Sequence, residues 1–278
     1  MTATTHTAQE APAPGTYNDG SLQGTWALVL GASSGFGEAN SLALARAGAN
    51  IMGVHLDRRN TMPNVERITS EIEGMGRQAR FFNMNAADPD ARKEALDNVA
   101  GEIGPGGVRV VLHSLAFGTL KRFVGDDVIK QKQRDRTLDV MAHSLVYWVQ
   151  DLVGRGLLVE GGRVWAMTSA GGHRAWPSYG AVSAAKAALE AHIRQLAVEL
   201  ATHKIAVNAI QAGVTDTPAL RKIPGNDALI DYAARVNPGG RLTMPGDVAS
   251  AIVALSGAGT GWMTGNVIRV DGGEDIVG

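Results

Sequence analysis

The sequence has no cysteine. Disulfide cross-links and thiolate chemistry are therefore excluded as sources of stability or catalysis. It has no apolar run of about 18 residues, the length that a bilayer-spanning helix needs. It has almost no net charge: 26 basic residues against 27 acidic ones give −1 at pH 7. That balance lacks the basic footprint of a nucleic-acid-binding or membrane-surface protein, so neither partner is expected. The first 20 residues, MTATTHTAQEAPAPGTYNDG, have neither a basic start nor an apolar core and do not read as a secretory signal. Their Ala, Thr, Pro and Gly content predicts a flexible tail over 1–21. The expected compartment is the cytoplasm. No internal repeat is visible, no linker divides 22–278, and no metal site is expected.

What remains is an ordinary globular composition. The chain has 278 residues, 45% hydrophobic and 19% charged, enough for one large domain over 22–278 whose core needs no covalent staples. Short apolar runs at 25–30, 50–54, 79–83, 108–112, 163–167, 206–210 and 267–270 predict seven strands. Helical stretches at 38–47, 67–76, 91–103, 127–153 and 182–200 fall between them. This alternation predicts an α/β fold: a Rossmann-like, doubly wound, seven-stranded parallel sheet flanked by helices. Crossovers should be right-handed, and ligands should lie beyond the carboxyl ends of the strands. The segment 217–244, rich in Pro and Gly, reads as irregular and sits where a substrate lid would lie.

The first strand runs directly into Gly31-Ala-Ser33-Ser34-Gly35-Phe36-Gly37, followed by a helix. Strand, glycine loop and helix form a phosphate cradle: the backbone can approach a pyrophosphate, and the helix start offers free N–H groups. After the second strand comes His55-Leu-Asp57-Arg58-Arg59. An acid there suits two ribose hydroxyls, and an arginine suits a 2′-phosphate; both are present. Asn85 and Ala86 follow the third strand at an adenine-facing position. His113, which follows the fourth strand, reads as structural.

The strongest constellation lies in TSAGGHRAWPSYGAVSAAKAALEAHIRQLAVEL, residues 168–200. Val182, Ala185, Leu189, Ile193, Leu196 and Leu200 mark one buried helical face. Tyr179 and Lys186 are two helical turns apart and can project to one side. Ser169 would end a strand and face Tyr179 across a loop. A hydroxyl, a phenol and an ammonium brought together suit proton donation, and the lysine's charge is expected to lower the tyrosine's pKa. Taken singly, the three read as an interface aromatic, a solvated lysine and a turn serine. Their combination behind a nucleotide loop favours an active site.

GASSGFG, the Tyr179/Lys186 helix, KIAVNAIQAGVTDT and the closing VIRVDGG together resemble the short-chain dehydrogenase/reductase family over roughly 22–278. The family usually places its tyrosine four residues before the lysine, where this chain has Val182. The Tyr-x6-Lys spacing found here, and LHSLAFG at 112–118, resemble the enoyl-acyl-carrier-protein reductase branch. Ser169 stands where many enoyl reductases carry a second tyrosine, and divergent NADPH-using bacterial members have serine there. Met141 replaces the family's helix asparagine.

The resemblance implies a set of roles. Tyr179 is the acid, with Lys186 and Ser169 beside it. Gly31, Ser33, Ser34, Gly35, Phe36 and Gly37 cradle the pyrophosphate. His55, Asp57 and Arg58 meet the adenosine ribose, and Asn85 and Ala86 meet adenine. Ser114, Leu115 and Ala116 lie along the nicotinamide, and Lys186 holds its ribose. Gly213, Val214, Thr215 and Thr217 meet the carboxamide and phosphates. The reaction implied is reduction of a 2,3-enoyl thioester carried on acyl carrier protein or coenzyme A, by a homotetramer. The competing activity is carbonyl or alcohol oxidoreduction, as in a 3-ketoacyl reductase; a nucleotide-binding regulator without turnover would be expected to lose the Tyr/Lys pair. NADP(H) is expected over NAD(H), because His55 occupies the usual aspartate place and Arg58 and Arg59 follow it.

Overall fold

Seven apolar runs become seven strands in the computed structural model, which describes residues 20–277. They are β1 (Trp26–Leu30), β2 (Asn50–His55), β3 (Ala79–Asn83), β4 (Val108–His113), β5 (Leu158–Ser169), β6 (Ala206–Ala212) and β7 (Val267–Val270). All pair in parallel, in the order β3-β2-β1-β4-β5-β6-β7. The predicted doubly wound sheet is therefore present. Every residue of β1 and of β6 is buried, as expected where helices cover both faces of a parallel sheet.

The helices are α1 (Gly35–Arg46), α2 (Met62–Gly74), α3 (Pro89–Ala100), α4 (Gln131–Leu138), α5 (Ser144–Gly154), α6 (Gly180–Glu199), α7 (Asn226–Val236), α8 (Pro245–Leu255) and the short α9 (Glu274–Val277). One core layer joins Leu145, Trp148 and Leu152 of α5 with Leu189, Ile193 and Leu196 of α6 against the sheet. The opposite layer joins Leu44, Ile68, Ile72, Val248 and Ile252 with Trp165.

Several elements differ from expectation, β5 among them, which starts at Leu158 rather than 163. The helix expected over 127–153 starts at Gln131 and is broken by a π-helical turn, Asp139–His143, between α4 and α5. Just after that turn the Ser144 hydroxyl donates to the Val140 carbonyl at 2.7 Å and lies 2.9 Å from His113 Nε2. Insertions of this kind recur at functional sites. Next, 217–244 is not wholly irregular, because α7 lies inside it. The helix α8 follows directly, packed on α1. Finally, α2 begins at Met62, ahead of the expected start at 67, with Pro63 in its first turn. The tail expected over 1–21 lies outside the described residues except for 20 and 21. Among the described residues, no helix is long and apolar enough to cross a membrane.

Strand order reverses between β1 and β4, whose successors lie on opposite sides of the sheet. Ligand crevices form at such switch points, beyond the strands' carboxyl ends.

Candidate active site

A cleft of about 380 Å³ opens at this switch point. Its floor is the turn after β1. Gly31 has φ +91°, and a Cβ there would lie 2.5 Å from the Ser114 carbonyl oxygen, so a bare backbone is required. The amides of Gly31 and Ala32 both bond the Val54 carbonyl, which fixes the turn against the end of β2. The helix α1 starts at Gly35, above this turn.

Of the residues expected at a cofactor, Gly31, Ser33, Ser34, Gly35, Phe36, His55, Asp57, Asn85, Ala86, Ser114, Leu115, Ala116, Lys186 and Thr217 line the cleft. Five do not. Gly37 lies behind the loop, where a Cβ would strike the Gly31 carbonyl, so it serves close packing of helix on strand. Arg58 is exposed and outside the cleft. Gly213 packs on Thr243, the Val214 amide donates to both carboxylate oxygens of Glu274 at 3.1 and 3.2 Å, and the Thr215 hydroxyl turns back to the Gly213 carbonyl. The cleft also takes in Met84, Phe117, Arg136, Val140 and Lys222, which sequence reasoning missed. Phe117 fell within the quoted LHSLAFG. Arg136 carried no local signal; it reaches the cleft by stacking 5.0 Å above the Phe117 ring. A larger cavity, about 550 Å³, lies between α1 and α8 and holds neither Tyr179 nor Lys186.

At the ribose end, Asp57 is the ordered charge. Its carboxylate lies 3.0 Å from His55 Nδ1, and its backbone is held twice by the Asn83 side chain, at 3.0 Å each way. Burial works to raise the Asp57 pKa, but contacts with Ser33, Thr61 and His55 outweigh it and hold the carboxyl below its ordinary value. Burial lowers the pKa of His55.

At the other end, the structure brings Ser169, Tyr179 and Lys186 together. Ser169 is the last residue of β5, and Tyr179 immediately precedes α6. Ser178, at φ 64°, supplies the left-handed residue that turns the chain into Tyr179. Lys186 is buried and donates from Nζ to the Met167 carbonyl at 2.6 Å. The buried Ser169 hydroxyl faces the Tyr179 phenol, where it favours the phenolate, and has no other hydrogen-bond partner among the described residues. A buried hydroxyl left without a further partner in a cleft suits a bound polar group.

One electrostatic expectation is corrected. The Tyr179 pKa is raised, not lowered: burial dominates, and only Ser169 opposes it. Lys186 does not act on the phenol here because its ammonium is turned to the Met167 carbonyl. Burial in turn pulls the Lys186 pKa down to about 8, with the charge of Glu190 opposing. His113, wholly buried, is held down to about 3 by burial and then by the charge of Lys186, so it is neutral.

Comparison with known proteins agrees with this geometry. A family model described as Enoyl-(Acyl carrier protein) reductase matches residues 31–274. An NADH-type enoyl-acyl-carrier-protein reductase from Nostoc sp. is 31% identical over 263 residues, 92% of this chain and 98% of that one. A 3-oxoacyl-acyl-carrier-protein reductase from Thermotoga maritima is 27% identical over 252 residues, 91% of this chain and 98% of that one. The solved NADH enoyl-acyl-carrier-protein reductase of Aquifex aeolicus superposes with a TM-score of 0.81 at 25% identity, over 93% of this chain and 99% of that one. The chain is a member of the short-chain dehydrogenase/reductase family of NAD(P)H-dependent oxidoreductases.

Proposed function

We propose that this enzyme reduces the 2,3-double bond of an enoyl thioester. The observation that carries this is the place of the phenol. Tyr179, seven residues before Lys186, faces Ser169, while position 182 holds a buried valine packed with Met141 and Ala185. In carbonyl reducers of the family the tyrosine stands at 182 and meets a carbonyl beside the cofactor. A phenol three residues earlier suits an oxygen further from the reacting carbon, as in a conjugated thioester. The Thermotoga maritima relative supports the carbonyl alternative, but the apolar 141/182 pair opposes a proton relay there.

The cleft fits a reduced nicotinamide dinucleotide: Gly31 leaves the bare backbone a pyrophosphate needs, and Asp57 and Lys186 offer charged groups at two ribose positions. When bound, that cofactor supplies the hydride to the β-carbon. Negative charge then develops on the thioester oxygen, Tyr179 donates a hydrogen bond to it, and the α-carbon takes a proton from solvent to complete the saturated thioester. The raised pKa of Tyr179 keeps the phenol protonated until it is needed. Ser169 supports the oxygen or orients Tyr179. Lys186 holds the nicotinamide ribose and adds positive charge.

The expectation of NADP(H) rested on His55 in the usual aspartate place and on Arg58 and Arg59 after it. Their exposure outside the cleft, with ionised Asp57 inside it, supports NAD(H) instead, since a carboxylate accepts from ribose hydroxyls and repels a 2′-phosphate. The carrier is acyl carrier protein or coenzyme A. A homotetramer is proposed on family resemblance alone; light scattering giving a monomer mass would refute it. The reaction itself is tested with cofactor deuterated at the transferring position. The saturated thioester should carry the label at its β-carbon; formation of a 3-hydroxyacyl product from a 3-ketoacyl thioester, with no enoyl turnover, would support the alternative.

A further inference from the structure

Three consecutive residues at the end of β5 each meet a different residue of the Tyr179–α6 segment. The Met167 carbonyl accepts from Lys186, the Thr168 hydroxyl donates to Glu190 Oε1 at 2.6 Å, and Ser169 faces Tyr179. Tyr179, Lys186 and Ser169 have roles in the reaction just described; Glu190 has none. Yet Glu190 stands one helical turn beyond Lys186, on the same side of α6. Its anchor, Thr168, is 4% exposed. The backbone of Gly172 closes over it: a Cβ there would lie 2.9 Å from Glu190 Oε1 and 3.6 Å from Lys186 Cβ. The half-buried carboxylate is thus held on the side of α6 that carries a buried ammonium, and a buried ammonium loses its proton readily unless an opposite charge is near.

We propose that Glu190 is a positioning residue for Lys186: anchored by Thr168, its carboxylate keeps the buried lysine an ammonium, able to donate into the cofactor cleft. This rests on Lys186 holding the cofactor, not on the identity of the substrate. The charges around Lys186 are consistent with it. On β4, His113 is neutral. On α6, His192 lies 2.9 Å from His143 of the π-helical turn, and burial and then His143 lower its pKa. Tyr179 is a neutral phenol with a raised pKa. Against these, Glu190 is the charge that opposes the burial of Lys186, whose pKa stands at about 8.

The test is E190Q, whose amide oxygen still accepts from Thr168 but carries no charge. The readout is NADH and NADPH binding, followed by nicotinamide fluorescence from neutral to alkaline pH with no substrate present. In the wild type, binding should weaken as pH rises through about 8. In E190Q that limb should move down by at least about one pH unit, the scale of a neighbouring opposite charge. E190D should restore most of it. A limb at the same pH in E190Q and wild type would overturn the proposal, since a merely structural role would weaken binding without moving the limb. A wild type with no such limb would show that Lys186 does not hold the cofactor by its charge, and the role of Glu190 would fall with it. If E190Q does not fold, T168V releases the carboxylate from its anchor: a smaller downward move is expected, and an unmoved limb overturns the proposal.

Discussion

Val182 fills the space that Gly118 leaves open. A Cβ on Gly118 would lie 2.5 Å from Val182 Cγ2 and 3.4 Å from Met141 Sδ. The loop after β4 therefore closes directly over the position where carbonyl-reducing relatives carry their tyrosine. Gly118→Ala should destabilise the fold by about 1–3 kcal/mol, the cost of pressing a methyl group onto the buried Val182 side chain. Val182→Ala in the same chain should recover most of that loss. Denaturant unfolding of the four chains checks it, and strictly additive effects would contradict the contact.

Tyr179→Phe should lower turnover by about two to four orders of magnitude, the range for loss of one proton or oxyanion donor. Cofactor affinity should stay within about threefold, because the phenol is assigned to the substrate oxygen and Lys186 to the ribose. Steady-state kinetics and a fluorescence titration measure the two effects separately. Near-normal turnover would remove Tyr179 from the chemistry.

The sheet and the site's outline were legible because they depend on local pattern. Each strand announced itself as an apolar run, and the apolar steps from Val182 to Leu200 marked the buried face of α6, with Tyr179 just ahead of it. What escaped depends on packing through space. The π-helical turn at Asp139–His143 inserts one residue into a helix that reads as unbroken. The helix α7 buries only Ala233, and its short stripe of Leu229, Ala233 and Val236 was passed over among the prolines and glycines on either side. The raised pKa of Tyr179 comes from burial, which sequence spacing does not report. The Thr168–Glu190 bond joins residues 22 apart across two elements. Arg58 and Asp57 are neighbours in sequence, and only the fold shows which one faces the cleft.

Asp275 ties the chain's end to the loop that carries Tyr179. Its side chain is 3% exposed and meets Arg174 Nε at 2.9 Å, Arg269 Nε at 3.0 Å and His173 Nε2 at 3.1 Å. Burial acts to raise its pKa, but hydrogen bonds from Gln211, His173 and Arg269 prevail and bring it down to about 2, from 3.8. A depressed carboxylate stabilises the fold above its unfolded pKa and loses that contribution as pH falls through its folded one. Asp275→Asn should therefore cost about 2 kcal/mol at neutral pH. The gap from wild type should narrow as pH falls from 3.8 towards 2. Unfolding curves along that pH series measure it, and a gap that widens with acid would contradict the assignment.

The proposed preference for NAD(H) rests on the Asp57 carboxylate. Asp57→Asn should weaken the preference for NADH over NADPH by roughly ten- to a hundredfold, the worth of a charge-assisted hydrogen bond. Arg58→Ala should leave it nearly unchanged. Specificity constants with each cofactor decide between them; a wild-type preference for NADPH that Arg58→Ala abolishes would restore the arginine to the ribose pocket.

The central claim is the reaction class, and one comparison tests it directly: kcat/KM for a crotonyl thioester against that for a 3-ketoacyl thioester of similar length, on the same carrier, followed by loss of nicotinamide absorbance. Tyr179 at its observed place, with Val182 sealed under Gly118, calls for turnover of the enoyl substrate, with the ketoacyl substrate slower by at least about a hundredfold. Equal constants, or a preference for the ketoacyl thioester, would contradict it.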